Sequence, residues 1–130
     1  MSQPFPTPVP TPARRQAMTV YLRGLRIDAA IGIHAHERGR RQPLVVDVEL
    51  LLGDHRIDRL SDTIDYDDIA ALARANANVG HVELVEEYVE RLGRALLEDP
   101  RVRSVRVRAE KPEAIAGAQA AGCEVTFVRE

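Results

Sequence analysis

In two stretches, 19–33 and 43–52, apolar side chains recur at every second position, the period of strands with one buried face. In TVYLRGLRIDAAIGI (19–33), Tyr21, Leu25, Ile27, Ala29, Ile31 and Ile33 share one parity, whereas Val20 and Leu22 share the other. This predicts a long strand whose inward face switches near Gly24, as at a β-bulge. His34 to Gln42 is polar and arginine-rich and reads as a loop. In PLVVDVELLL (43–52), Leu44, Val46, Val48 and Leu50 point one way, and Asp47 and Glu49 the other. A second, half-buried strand, antiparallel to the first, is predicted there.

Beyond residue 53 the period lengthens. Residues 53–65 are turn-rich, and Asp65 is a candidate N-cap for a helix starting near Tyr66, with Asp67 and Asp68 favourable against the dipole of its first turn. The apolar stripe of that helix, Ile69, Leu72 and Ala73, is short because Asn76 comes next on the same face. Gly80 breaks the pattern. A second helix is predicted over about 82–98, with Val82, Val85, Val89, Leu92 and Leu96 as its stripe and Asp99-Pro100 as its stop.

Val102, Val105, Val107 and Ala109 mark a third strand, with Arg106 and Arg108 on its other face. The loop KPEAIAGAQAAG leads to a fourth at about 123–129, where Cys123, Val125 and Phe127 alternate with Glu124, Thr126 and Val128. The order β-β-α-α-β-β describes an α+β layer fold, an antiparallel four-stranded sheet with two helices on one face. Its edge strands would stay unpaired in a monomer, so strand pairing between subunits, and hence a homo-oligomer, is expected.

Residues 1–17 do not join this pattern. Proline occupies every second position from Pro4 to Pro12, which predicts a polyproline-like or disordered tail preceding a folded unit at 18–130. The 130 residues suffice for one domain with a core and are too few for two. A formal net charge of −2 gives no general attraction to nucleic acid or anionic membranes. No run of eighteen apolar residues predicts a membrane span, and the first seventeen residues lack the apolar stretch of a secretory signal. Cys123 is the single cysteine and cannot form an internal disulfide. A cytoplasmic location is therefore expected.

Composition changes the picture at one point. Among 18 basic residues Lys111 is the only lysine. Arginine keeps its proton near neutral pH, whereas a lysine can act as a base where its surroundings permit. Lys111 ends the third predicted strand, before Pro112, where an exposed strand-end lysine is the plainer reading. Three other residues draw attention and have plain readings too. Glu37, beside Arg38, Arg40 and Arg41, reads as a solvated acid worth little to stability. Tyr66 reads as an amphipathic tyrosine at the rim of the core. Glu86 follows Leu84 and Val85, read as core positions, so it lies near the inner face early in its helix. An acid there suits the helix dipole, and its carboxylate could also receive two N–H donors from a planar amidine-like ligand.

No metal site is expected. His34 and His36 are two apart, His55 and His81 are isolated, and neither an HExxH sequence nor a cysteine pair is present. No glycine-rich phosphate loop occurs, and Ser61 and Ser104 lack the context of a nucleophile elbow.

Four segments in order go further: IGIHAHERGRRQPLVVDVEL (31–50), DTIDYDDI (62–69), HVELVEEYVERL (81–92) and VRVRAEKPEAIAGAQAAGCEV (105–125). In order and spacing they resemble the dihydroneopterin aldolase family over nearly all of 18–130. The resemblance implies a tunnelling fold, in which four subunits join their sheets into a barrel and two rings commonly stack into an octamer, with active sites between neighbouring subunits. It implies retro-aldol cleavage of 7,8-dihydroneopterin in folate biosynthesis, with no metal, no cofactor and no Schiff base. Motif by motif, Glu86 resembles the anchor of the pterin's amino-pyrimidinone edge and Lys111 the catalytic lysine. Tyr66 resembles the catalytic tyrosine contributed by the adjacent subunit, and Glu37 the acid that positions lysine, water and substrate hydroxyls. Three positions depart from the family's habit: His34 where an aromatic residue is frequent, Glu113 after the lysine-proline pair, and Cys123 where an aliphatic residue is common. They bear on the preferred substrate isomer. A C2′ epimerase of dihydroneopterin or its triphosphate could use the same four residues, and a non-catalytic pterin- or purine-binding ring would use Glu86 alone.

Overall fold

The computed structural model describes residues 4, 5, 7 and 9–130. Part of the predicted tail, residues 1–3, 6 and 8, lies outside the described residues. Residues 9–18 form neither helix nor strand, and Arg15 anchors this stretch by donating to the carbonyls of Gly53 (3.2 Å) and His55 (2.6 Å).

Four strands form one antiparallel sheet in the order β1-β2-β3-β4: β1 (Thr19–Ala29), β2 (Gln42–Leu52), β3 (Val102–Lys111) and β4 (Ala121–Val128). Two helices, α1 (Tyr66–Ala77) and α2 (Val85–Leu97), connect β2 to β3. Both pack on one face: α1 against β1 and α2, and α2 across β3 and β4. The core lies between these layers. It takes Leu44, Val46, Val48 and Leu50 from β2, Val105, Val107 and Ala109 from β3, and Val85, Val89, Leu92 and Leu96 from α2.

The parity switch in β1 is a bulge. Leu22 faces Val48 and Leu25 faces Val46, so β1 spends one residue more than β2 over this interval. Gly24 adopts a positive φ of 71°, open to glycine without strain, and its amide donates to Asp47 Oδ1 at 2.6 Å. Val20 and Leu22 before the bulge, and Leu25, Ile27 and Ala29 after it, thus all turn toward the helices.

Several boundaries differ from the sequence expectation. β1 ends at Ala29 rather than 33, and Ile33 is exposed. The chain instead makes a short parallel bridge, in which Val82 donates to Ala30 and Gly32 to Val82, both at 2.9 Å. That bridge uses the backbone of 81–83 in an extended form, so α2 starts at Val85 and not near 82. Leu84, read as core, is the exposed residue before the helix. β4 begins at Ala121, two residues early, paired with Lys111.

Asp65 caps α1, its carboxylate accepting from the Asp67 amide at 2.9 Å. Ala77 extends the stripe beyond Asn76, whose side chain turns back to the Leu72 carbonyl (2.9 Å). Tyr88 is fully buried, and its hydroxyl donates to the Ala73 carbonyl at 2.8 Å, tying α2 to α1. Its position three residues after Val85 carried that signal in the sequence.

Gly93 sets how closely α2 approaches β4. A Cβ at this position would stand 2.8 Å and 2.9 Å from two carbons of the Phe127 ring, over which the Arg94 guanidinium sits at 4.7 Å. Replacing Gly93 with leucine should therefore overpack this contact and cost about 1–3 kcal/mol. Urea unfolding should show a lower midpoint with an unchanged slope; an equal or higher midpoint would refute the close-approach reading.

Candidate active site

Strand parity carries two polar side chains into the layer between sheet and helices. Gln42 is two residues before Leu44 and continues the inward register of β2, while Lys111 continues that of Val105, Val107 and Ala109 on β3. Both stand at the same end of the sheet. Gln42 pairs with Ala29 at the end of β1, and Lys111 pairs with Ala121 at the start of β4. The segment between β1 and β2 forms a 3₁₀ turn, Ala35–Glu37, which folds Glu37 inward between them.

Glu37 is only 3% exposed, and Gln42 only 2%. Lys111 Nζ and Gln42 Nε2 each donate to Glu37 Oε2 at 2.8 Å, and the His34 amide donates to Oε1 at 3.3 Å. The second N–H of the Gln42 amide goes to the Ile31 carbonyl at 2.7 Å. Gly32, with φ of 131°, presses its backbone against the carboxylate so closely that any Cβ would overlap it. His81 Nε2 lies 2.6 Å from the Gly32 carbonyl, fixing that backbone to the segment entering α2. Burial by itself would raise the Glu37 carboxyl. The hydrogen bonds from Lys111, Gln42 and His34, with the charge on Lys111, outweigh it and bring the carboxyl down to about 2. The solvated acid expected from the sequence is thus a buried ionised one, because its partner is the lysine 74 positions away and not the neighbouring arginines. Arg38 instead pairs with Glu83 at 2.9 Å.

Outside this pair opens a cleft of about 230 Å³, lined by Ile33, His34, Glu37, Leu84, Glu86, Lys111, Ile115 and Gly122 among others. Lys111 is 14% exposed, so its ammonium reaches both Glu37 and the cleft. Glu86 is not near the buried face of α2 as expected. It is exposed at the cleft's rim, because the helix starts three residues later and turns Val85, Tyr88 and Val89 inward. Burial, with the Glu86 carboxylate, pushes the Cys123 thiol up. His34 and His36 are exposed and stack at 5.6 Å. Glu113 is exposed in the β3–β4 loop.

One chain therefore brings Glu37, Lys111 and Glu86 to one cleft and leaves Tyr66 apart. Tyr66 is 62% exposed at the start of α1, beside a hollow with Met18, Tyr21 and Ile57. Gln42 escaped the sequence reading, although its parity with Leu44 was a usable signal. A larger hollow of about 470 Å³ lies on the helix-free face of the sheet, where Arg106 pairs with Glu49 (3.4 Å) and Glu124 (3.1 Å). Among the described residues no three His, Cys, Asp or Glu side chains gather as metal ligands, and no helix is long and apolar enough to cross a membrane.

A family model described as dihydroneopterin aldolase (FolB) matches residues 20–127. The dihydroneopterin aldolase of Escherichia coli (strain K12) is 28% identical over 106 residues, covering 79% of this chain and 87% of that protein. Among solved structures, the E. coli dihydroneopterin aldolase in complex with neopterin superposes with a TM-score of 0.78 at 26% identity, over 85% of this chain and 98% of the other. The Burkholderia thailendensis dihydroneopterin aldolase bound to guanine gives 0.75 at 28%, over 88% and 93%. A urate oxidase from Bacillus subtilis 168 shares the fold alone, with a TM-score of 0.57 at 12% identity, over 85% of this chain and 46% of the other.

The low Glu37 value links the site to acid stability. The carboxyl is at about 2 in the folded chain against 4.5 ordinarily, so the folded state binds this proton less readily than the unfolded one. Its contribution is complete above about pH 4.5 and is lost as pH falls toward 2. Unfolding free energies of the wild type and Glu37→Gln, measured from pH 6 to 2, should differ most at the upper end and converge at the lower. Parallel curves would contradict the assignment.

Proposed function

Because the chain belongs to the dihydroneopterin aldolase family, we propose that it cleaves 7,8-dihydroneopterin between C1′ and C2′. The products are 6-hydroxymethyl-7,8-dihydropterin and glycolaldehyde, a step of folate biosynthesis. The observation that carries this reading is the Glu37–Lys111 pair, a buried carboxylate holding the chain's single lysine at the wall of a cleft that Glu86 also lines.

Retro-aldol cleavage needs a base at the C2′ hydroxyl and a sink for the electrons of the breaking bond. The C6=N5 imine of the dihydropterin is that sink, so neither a Schiff base nor a metal is required. Lys111, after releasing its ammonium proton to solvent, takes the C2′ hydroxyl proton, directly or through a water. The C1′–C2′ bond breaks, C2′ becomes the carbonyl carbon of glycolaldehyde, and the electron pair forms C1′=C6 while N5 takes up a proton, giving an enamine. Protonation at C1′ with loss of the N5 proton then yields the hydroxymethyl product. Tyr66 assists that protonation, and Glu37 orients lysine and water. Guanine and neopterin, the ligands of the Burkholderia and E. coli neighbours, share a 2-amino-4-oxopyrimidine edge. A carboxylate such as Glu86 can receive that edge through two parallel hydrogen bonds.

Tyr66 reaches the reaction from a neighbouring subunit in this reading. Its separation from Lys111 within one chain and the two open edges at β1 and β4 support a ring closed by pairing between subunits. We take the ring as four subunits, two rings stacking into an octamer, and the enzyme as cytoplasmic.

Chromatography of products after anaerobic incubation with 7,8-dihydroneopterin tests the reaction directly. Hydroxymethyldihydropterin with glycolaldehyde is the expected outcome; accumulation of the C2′ epimer alone would make the protein an epimerase, and unchanged substrate a binding module. Lys111→Ala should lower kcat by about 10²–10⁴-fold, the usual worth of a positioned acid–base group, with pterin affinity largely kept. Unaltered turnover would remove the lysine from the mechanism. Glu86→Ala should lose calorimetric binding of a pterin analogue, and retained affinity would refute its role as anchor.

A further inference from the structure

Gln42 and Glu37 are the two polar or charged residues that are buried among the described residues, and they bond to each other. A buried glutamine amide with one N–H on a backbone carbonyl and the other on a carboxylate has no rotational freedom left. The carbonyl it donates to belongs to Ile31, the residue that bridges to Val82, so the amide is held from the scaffold and not from the cleft. Oε2 of Glu37 is the atom that also receives Lys111. The two donors therefore share one oxygen, and the direction from which Gln42 approaches fixes where the lysine must stand.

We propose that Gln42 is a positioning residue for the reaction, holding the Glu37 carboxylate in the orientation that presents Lys111 to the cleft and acting through that carboxylate, not on the substrate. The inference rests on the aldolase reading above. Gln42 is not among the residues lining the cleft, so its effect must pass through the acid. Other titratable and charged groups surround the acid. His34, Glu83 and Glu86 line the same cleft, Arg38 pairs with Glu83, His81 holds the Gly32 carbonyl, His36 stacks on His34, and Cys123 lies near Glu86. Any of them can shape a pH profile of turnover. The decisive readings are therefore a mutant cycle and the titration of Glu37 itself.

Gln42→Met keeps the volume and removes both donors. Its kcat should fall about 10- to 100-fold, the range for losing a hydrogen bond to a charged group, while calorimetric pterin affinity stays within about twofold. In the Glu37→Gln background the same replacement should cost almost nothing, because the residue it acts through is gone. The ¹³C carboxyl resonance of Glu37 should titrate at higher pH in Gln42→Met, since one donor to the ionised form is lost. Losses that multiply independently in the double variant, or a Glu37 titration that does not move, would overturn the proposal; so would affinity and melting temperature falling in step with kcat. Should Gln42→Met fail to fold, the wild type carries the test. The side-chain ¹⁵N–¹H resonances of Gln42 should shift as Glu37 titrates, and a pH-indifferent Gln42 amide would refute the coupling. Wild-type protein that turns over no dihydroneopterin would sink the aldolase reading and this inference together, whereas normal turnover with independent losses sinks this inference alone.

Discussion

A carboxylate removed from water is tolerated only when its charge and its lone pairs are answered, and the buried Glu37 organises its end of the molecule around that requirement. Three donors answer it, from the turn after β1, the first residue of β2 and the last residue of β3. Removing one partner of such a pair typically costs about 3–5 kcal/mol, because the other charge is left stranded. A solvent-exposed pair such as Arg38–Glu83 is screened by water and contributes little. The buried pair thus outweighs the surface pairs in fixing where the strand ends sit. The glycine behind the acid follows from the same demand: Gly32 comes so near the carboxylate that a side chain there would overlap it.

The fold was legible wherever a period ran undisturbed. The alternation in β2 and β3 and the three-four spacing in α2 depend on burial of one face, a property each segment carries in its own residues. Even the bulge at Gly24 was readable, because a parity switch has few causes. The start of α2 was not, since residues 81–83 are drawn into a bridge with 30–32, a partner no local pattern announces. The site divides in the same way. Lys111 stood out as the only lysine and Glu86 by its place near a helix start, whereas the burial of Glu37 depends on a contact across 74 positions. Taken one residue at a time, the sequence favoured a solvated Glu37 and allowed an exposed Lys111, and the structure buries the pair instead; only the ordered set of motifs resembling a known family pointed past those plainer readings.

The comparisons separate scaffold from chemistry. A urate oxidase shares the layout of sheet and helices at 12% identity, so the architecture alone decides no reaction. What the scaffold supplies is geometry: two strand ends and a helix start meeting at one corner, with a cleft outside them. The helix-free face supplies something different. There Arg106 and Arg108 bridge to Glu49 and Glu124, so that face is suited to water and not to an apolar layer.

The solitary lysine carries a practical meaning for anyone handling this protein. Reagents that acylate primary amines find, apart from the α-amino group, a single side-chain target, and it lies at the wall of the cleft in contact with Glu37. Routine amine-directed tagging, cross-linking or immobilisation would be aimed at the interior of the molecule's working corner while leaving its arginine-rich surface untouched. Once labelling of the α-amino group is set aside, the extent of acylation counts open clefts, because no other lysine competes for the label.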